Sequence, residues 1–71
     1  MAYNYRKLRG KILEVFGTQD AFAQALGISP SALSLKLNNR SDWKRVEIER
    51  ACELLGIPLE EAGLYFFCPI S

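Results

Sequence analysis

The chain has 71 residues, 49% of them hydrophobic and 24% charged, with a net charge of +1. This balance is typical of one folded domain, here residues 1–71, and excludes a disordered or strongly polyionic protein. No apolar stretch approaches the roughly 18 residues of a transmembrane helix, and residues 1–5 contain no signal-peptide core, so we expect a cytoplasmic protein without a membrane partner. Two cysteines and no histidine indicate neither a disulfide framework nor a zinc site, and we expect no metal, cofactor or small-molecule ligand.

The first predicted helix covers residues 5–16. Tyr5, Leu8, Ile12 and Phe16 recur near the helical period, and charged residues lie between them. Gly17 follows, at a position where helices commonly end in a left-handed residue. This spacing predicts an apolar side that packs in the core.

The second predicted helix covers residues 19–26. Thr18 is a favourable N-cap, and Phe22 and Leu26 are four residues apart, so they share one face. Gly27 ends this helix, which leaves very little chain before the next one begins.

The third predicted helix covers residues 30–37. Ser29 can cap it, and Pro30 occupies the first helical position, where a missing N–H costs nothing. Leu33 and Leu37 are four residues apart and mark the buried side.

A polar loop, residues 38–42, is predicted to follow the third helix. Trp43 then provides a buried anchor, and apolar residues at helical spacing between 46 and 55 predict a fourth helix that ends at Gly56. The start of this helix, near residues 44–45, has no recognisable capping residue.

A short fifth helix is predicted to begin at Pro58 and to end at Gly63, with two glutamates in its first turn. The tail after it, residues 64–70, is apolar, aromatic and β-prone. Two interpretations of the tail remain open: it completes the core, or it pairs as a strand across a dimer.

The most informative stretch joins the second and third helices. A very short turn containing glycine forces two helices to cross at a steep angle. Ala23 is small enough for close approach, Gly27 supplies the backbone conformation of the turn, and Ile28 and Leu33 fill the wedge between the helices.

This stretch, about residues 18–38, resembles the helix-turn-helix of Cro/C1-type (Xre-like) phage and prophage regulators. In that family a glutamine opens the second helix, an alanine follows four residues later, a glycine ends the helix and an aliphatic residue lies six beyond. Gln19, Ala23, Gly27 and Leu33 occupy those positions here. The resemblance implies an all-α, five-helix, lambda-repressor-like DNA-binding domain.

The resemblance also implies how such a domain binds double-stranded operator DNA, with the third helix in the major groove. The base-contacting residues by register are then Pro30, Ser31, Ser34 and Leu35. Their side chains are shorter than those of many family members, which shifts the expected specificity toward DNA shape. We expect a nucleoid-associated repressor that occludes its operator as a homodimer, at least on DNA.

Phosphate contacts are expected at the start of the second helix and around the loop that follows the third helix. The residues assigned to this role are Gln19, Lys36, Asn38, Asn39, Arg40, Ser41 and Lys44. For the basic residues of the first helix, such as Arg6 and Arg9, a solvated face is the simpler interpretation.

The charge distribution favours a nucleic-acid partner but leaves an alternative open. Residues 1–45 carry eight Lys or Arg and three Asp or Glu, whereas residues 46–71 carry one and five. A cationic half suits a polyanion. The alternative is a helical protein-interaction module or antitoxin-like component with the same fold. No acid–base, nucleophile or metal-ligand pattern indicates an enzyme.

Overall fold

The computed structural model describes residues 3–69, and within them five α-helices are joined by short turns. The helices are α1 Arg6–Phe16, α2 Gln19–Leu26, α3 Pro30–Leu37, α4 Arg45–Leu55 and α5 Ala62–Phe66, with a 3₁₀ turn at Leu59–Glu61 before α5. The predicted all-α, five-helix fold is therefore confirmed. None of these helices combines the length and apolarity needed to cross a membrane within residues 3–69.

Side chains at the starts of α2 and α3 explain why the chain turns where it does. Thr18 Oγ1 accepts a hydrogen bond from the N–H of Ala21 at 3.1 Å, and Ser29 Oγ accepts one from the N–H of Ala32 at 3.1 Å. Each bond satisfies one of the N–H groups that a helix start leaves without a partner.

The core forms where all five helices meet. Leu8 and Ile12 of α1, Phe22 of α2, Leu33 of α3 and Phe66 of α5 are at most 1% exposed. Burying large apolar side chains of this kind contributes roughly 1.5–3 kcal/mol each, which is the main stabilising term in so small a domain. Helices drawn from both ends of the sequence therefore hold α3 in place.

The start of α4 has a cap that the sequence analysis missed. The Glu47 carboxylate reaches back and accepts a hydrogen bond from the N–H of Lys44 at 2.9 Å. This is the half of a capping box that the third residue of a helix supplies. The first helical residue is Arg45, within the start near residues 44–45 that the sequence indicated.

The C-terminal segment differs from the prediction. The helical residues after Pro58 extend to Phe66, past Gly63, and Phe66 is 1% exposed in the core. The prediction that α5 ends at Gly63 is wrong, because burial of Phe66 favours continuation of the helix.

The end of the described chain pairs with its beginning. The N–H of Asn4 donates to the carbonyl of Cys68 at 2.7 Å, and Tyr3 and Pro69 form an isolated antiparallel bridge. The β-prone tail thus pairs within its own chain in the part that the structure describes. Ile70, which the sequence analysis included in the tail, lies outside the described residues.

Candidate nucleic-acid interface

The turn between α2 and α3 is built by the residues that the sequence singled out. Gly27 has a φ of +88°, and both its own N–H and that of Ile28 donate to the carbonyl of Ala23 at 3.0 Å. Ala23 and Leu33 are fully buried, and Ile28 packs partly buried against the same core. Because a left-handed residue with a side chain is strained, glycine suits this turn.

The four predicted base-contacting residues form an exposed surface on α3. Pro30, Ser31, Ser34 and Leu35 are all exposed, and 47% of Leu35 is accessible. Leu33 and Leu37 lie on the opposite side of the helix and are buried in the core. The side chains on the outer surface are short or apolar, so this helix presents hydroxyl groups and one aliphatic group to a partner.

Lys36 does not belong to the phosphate-contacting set. It is only 6% exposed, and its Nζ lies 2.9 Å from Glu47 Oε1 and 2.9 Å from the carbonyl oxygen of Asp42. The ammonium also lies 5.8 Å from the centroid of the Trp43 ring. An ammonium held by these groups joins α3 to α4 inside the molecule, which argues against the predicted phosphate contact of Lys36.

Glu47 is the acidic partner that fixes this arrangement. Desolvation by burial raises its pKa, but the hydrogen bonds from the Lys44 N–H and from Lys36, together with the charges of both lysines, outweigh it and lower the pKa below its ordinary value. The carboxylate therefore stays ionised at neutral pH and keeps the Lys36 ammonium neutralised.

Asn38 and Asn39 also use their side chains inside the molecule. Asn38 Nδ2 donates to the Ser34 carbonyl at 2.8 Å, and its Oδ1 accepts from Arg9 at 3.1 Å. Asn39 Oδ1 accepts from the Tyr3 N–H at 2.8 Å, and Nδ2 donates to the Tyr3 carbonyl at 2.9 Å. These amides hold the chain together while both residues remain exposed, so their assignment to phosphate contacts stays a prediction.

Asn39 has a second reason to be an asparagine. Its φ of +61° makes it the one described non-glycine residue in the left-handed region. Asparagine tolerates that conformation better than most residues because its short polar side chain bonds locally. The polar loop after α3 is thus fastened to the N-terminal segment, as two residues 36 positions apart meet.

Arg9 holds the C-terminal end of α3, a role that the sequence did not reveal. Its Nη2 donates to the carbonyl of Leu37 at 3.1 Å as well as to Asn38. A cation at the C-terminal end of α3 is favourable, because that end carries partial negative charge and unpaired carbonyls. The contact joins residues 28 positions apart, and local sequence patterns carry no signal for it.

Six of the seven predicted phosphate-contacting residues remain accessible. Asn38, Asn39, Arg40 and Lys44 are exposed, and Gln19 and Ser41 are partly exposed. An open cleft of about 410 Å³ lies near the same end of α3 and includes Arg6 and Arg9 in its lining. Accessible cations therefore lie in the segment that follows α3 and in the first turn of α1.

The cysteines are separate from this surface. Both are free, Cys52 buried and Cys68 half-buried. Desolvation by burial raises the pKa of Cys52, which keeps it a neutral, unreactive thiol. Within residues 3–69, no group of three His, Cys, Asp or Glu side chains could hold a metal ion.

Comparison with solved structures finds a close relative. The chain is similar to the modulator of repression (MOR) of the temperate bacteriophage TP901-1 from Lactococcus lactis, known from a solution structure, with 45% sequence identity and a TM-score of 0.82. The match covers 94% of this chain and 90% of that chain. The likeness extends to sequence as well as fold, and it supports a phage regulatory role.

No curated protein shows a significant match to the chain. The family profile described as "Protein of unknown function (DUF739)" matches residues 1–68. The chain therefore belongs to the DUF739 family.

Proposed function

We propose that this chain is a phage transcriptional regulator that binds double-stranded DNA in a sequence-dependent manner through α3. The observation that carries the proposal is the exposed row formed by Pro30, Ser31, Ser34 and Leu35 on a helix whose other side is locked into the core. A helix presented in this way after a glycine turn has the shape that the major groove of B-DNA admits.

The accessible cations support the same surface. Arg40 and Lys44 lie beyond the C-terminal end of α3, and the cleft containing Arg6 and Arg9 lies near that end. Phosphate contacts of this kind position a protein on DNA without distinguishing sequences. Serine hydroxyls bond either kind of base pair and Leu35 suits a thymine methyl, so DNA shape contributes much of the specificity.

The proposal includes a homodimer, at least on DNA. One short recognition helix buries little surface, and two copies on half-sites about 34 Å apart multiply the specificity. Repression by operator occlusion is the simplest action for a regulator of this size. The protein would act on the nucleoid in the cytoplasm, without a catalytic step. Sedimentation of the chain with and without a selected duplex measures the stoichiometry, and a monomer in both samples at high concentration contradicts the dimer.

The experiment that tests DNA binding is selection from random duplexes followed by fluorescence anisotropy over a salt series. We expect affinity to fall steeply between 50 and 200 mM salt, as counterion release requires. Arg40→Ala should weaken binding to all duplexes alike and reduce the salt slope by about one, whereas Ser34→Ala should change the preference among sequences. Arg50→Ala, an exposed arginine on α4, is the charge-matched control and should leave the slope unchanged.

A protein-interaction module is the second candidate function, and two observations favour it. The outer face of α3 lacks long polar side chains and exposes 47% of Leu35, which suits a protein partner. The related phage protein is named a modulator of repression. Negligible affinity for every duplex at 50 mM salt, with correct folding by circular dichroism, contradicts the DNA proposal and leaves this one.

A further inference from the structure

A second crevice opens on the side of the molecule where the two chain ends meet. Its volume is about 270 Å³, and it is lined by Tyr3, Tyr5, Asp42, Trp43, Phe66 and Phe67. Five of the six lining residues are aromatic, and the sixth is a carboxylate. The DNA proposal uses none of these side chains.

The aromatic rings are arranged as packed groups. Tyr3 and Phe67 meet edge to face with ring centroids 5.6 Å apart, and Tyr3 and Tyr5 lie 6.3 Å apart. Trp43 and Phe66 also meet edge to face, at 4.9 Å. Such packing fixes the rings, and the faces of the rings carry negative charge density that attracts cations.

The charged group in the lining of the crevice is the Asp42 carboxylate. Asp42 is exposed, and its carboxylate forms no ion pair within residues 3–69. Burial, followed by smaller contributions from Tyr3 and Asp42, raises the pKa of Tyr5, which agrees with a carboxylate beside the phenol groups. Lys36, whose ammonium lies 5.8 Å from the Trp43 centroid, is already paired with Glu47 at 2.9 Å.

We propose that this crevice binds an organic cation, a guanidinium or alkylammonium group, between the accessible rings of Tyr3, Trp43 and Phe67 and the Asp42 carboxylate. The volume suits one such group rather than a drug-sized molecule, since pockets for the latter are roughly 300–1,000 Å³. Aromatic rings with an adjacent carboxylate are the chemistry that recognises this class of ligand. The favoured source is a basic side chain of another protein, and a free small cation is the alternative source.

The test is a titration of the full chain followed by the signals of Trp43, the single tryptophan, in fluorescence and in NMR. The probes are N-acetyl-arginine methylamide, tetramethylammonium and, as an uncharged analogue, N-acetyl-citrulline methylamide, all at constant ionic strength. We expect the arginine derivative to bind with a Kd of millimolar order, tighter than the citrulline analogue by about tenfold. Tighter binding of tetramethylammonium than of the arginine derivative identifies a free small cation as the source.

Two variants locate the site. Asp42→Asn should weaken binding of the arginine derivative about threefold to tenfold, and Phe67→Leu, which removes a half-exposed ring, should weaken it by a similar factor. Asp20→Asn is the matched control, because Asp20 is the other aspartate of the chain and is exposed on α2.

Two results overturn the proposal. One is that the charged and uncharged analogues bind equally well, or that neither binds. The other is an Asp42→Asn variant that binds as tightly as the Asp20→Asn control. Neither result bears on DNA affinity, so this proposal and the DNA proposal fail separately.

Discussion

The outer face and the C-terminal end of α3 use their polar residues in opposite ways. On the outer face, Ser31 and Ser34 are exposed with Leu35 beside them. At the C-terminal end, Lys36 and the two asparagines that follow are occupied by Glu47, Arg9, Tyr3 and nearby backbone. The outer face is accessible, whereas the C-terminal end is fastened to three different parts of the chain.

The difference indicates that a short helix can present an exposed face only if other contacts fix it to the rest of the domain. α3 has eight residues, too few to be stable alone in water, because isolated helices below about 12–15 residues are marginal. Its buried leucines supply packing, and the bonds from Arg9 and Glu47 fix its C-terminal end. Variants that lower stability should therefore differ from variants that lower DNA affinity.

The largest effect is expected for Lys36→Ala. The change leaves the Glu47 carboxylate mostly buried without its cation, and removing one partner of a buried pair costs roughly 3–5 kcal/mol. Because the Glu47 side chain is still 18% exposed, we expect a cost below that range, about 2–3 kcal/mol of unfolding free energy, measured by urea denaturation.

Lys44→Ala is the control for that measurement. Lys44 is exposed, so its removal should change stability by less than about 0.5 kcal/mol while weakening DNA binding. Equal unfolding free energies for the two lysine variants would contradict the internal role of Lys36.

A smaller effect is expected for Asn39→Ala. Alanine loses both hydrogen bonds to the Tyr3 backbone and also strains the left-handed φ of +61°. These two losses together should cost about 1–2 kcal/mol, measured by thermal or urea unfolding.

Asn39→Gly separates the two contributions, because glycine keeps the backbone conformation and loses only the side-chain bonds. It should be less destabilising than alanine. If glycine is as damaging as alanine, strain contributes nothing to the loss and the side-chain hydrogen bonds account for all of it. If both variants are neutral, the contact with Tyr3 does not stabilise the domain.

Local rules were sufficient for the helices and for the turn that displays α3. Thr18 and Ser29 at helix starts, Gly27 at the turn and the spacing of buried leucines all act within about eight residues, so the sequence contains the whole interaction. The all-helical fold and the exposed face of α3 were therefore predicted.

Long-range contacts account for what the sequence did not predict. Lysine and asparagine at the C-terminal end of α3 are residue types that commonly bind phosphate. Only the fold reveals that Glu47, Arg9 and Tyr3 already bond to these side chains. The end of α5 was missed for the same reason, because Phe66 continues the helix to reach a core built by other elements.

The smallest effect separates two serines at the start of α3. Ser29 Oγ accepts a hydrogen bond from the N–H of Ala32, so Ser29→Ala should destabilise the domain by about 1 kcal/mol, as loss of an N-cap does. Ser31 is exposed and lies on the proposed DNA face, so Ser31→Ala should stay within about 0.5 kcal/mol of the parent. In DNA selection the order should reverse, with Ser31→Ala changing the preferred sequence and Ser29→Ala leaving it unaltered at temperatures where the domain is folded. The two serines differ in their fold contacts but not in their chemistry. A Ser31→Ala variant that lost stability without altering sequence preference would therefore show that Ser31 supports the fold rather than contacting DNA.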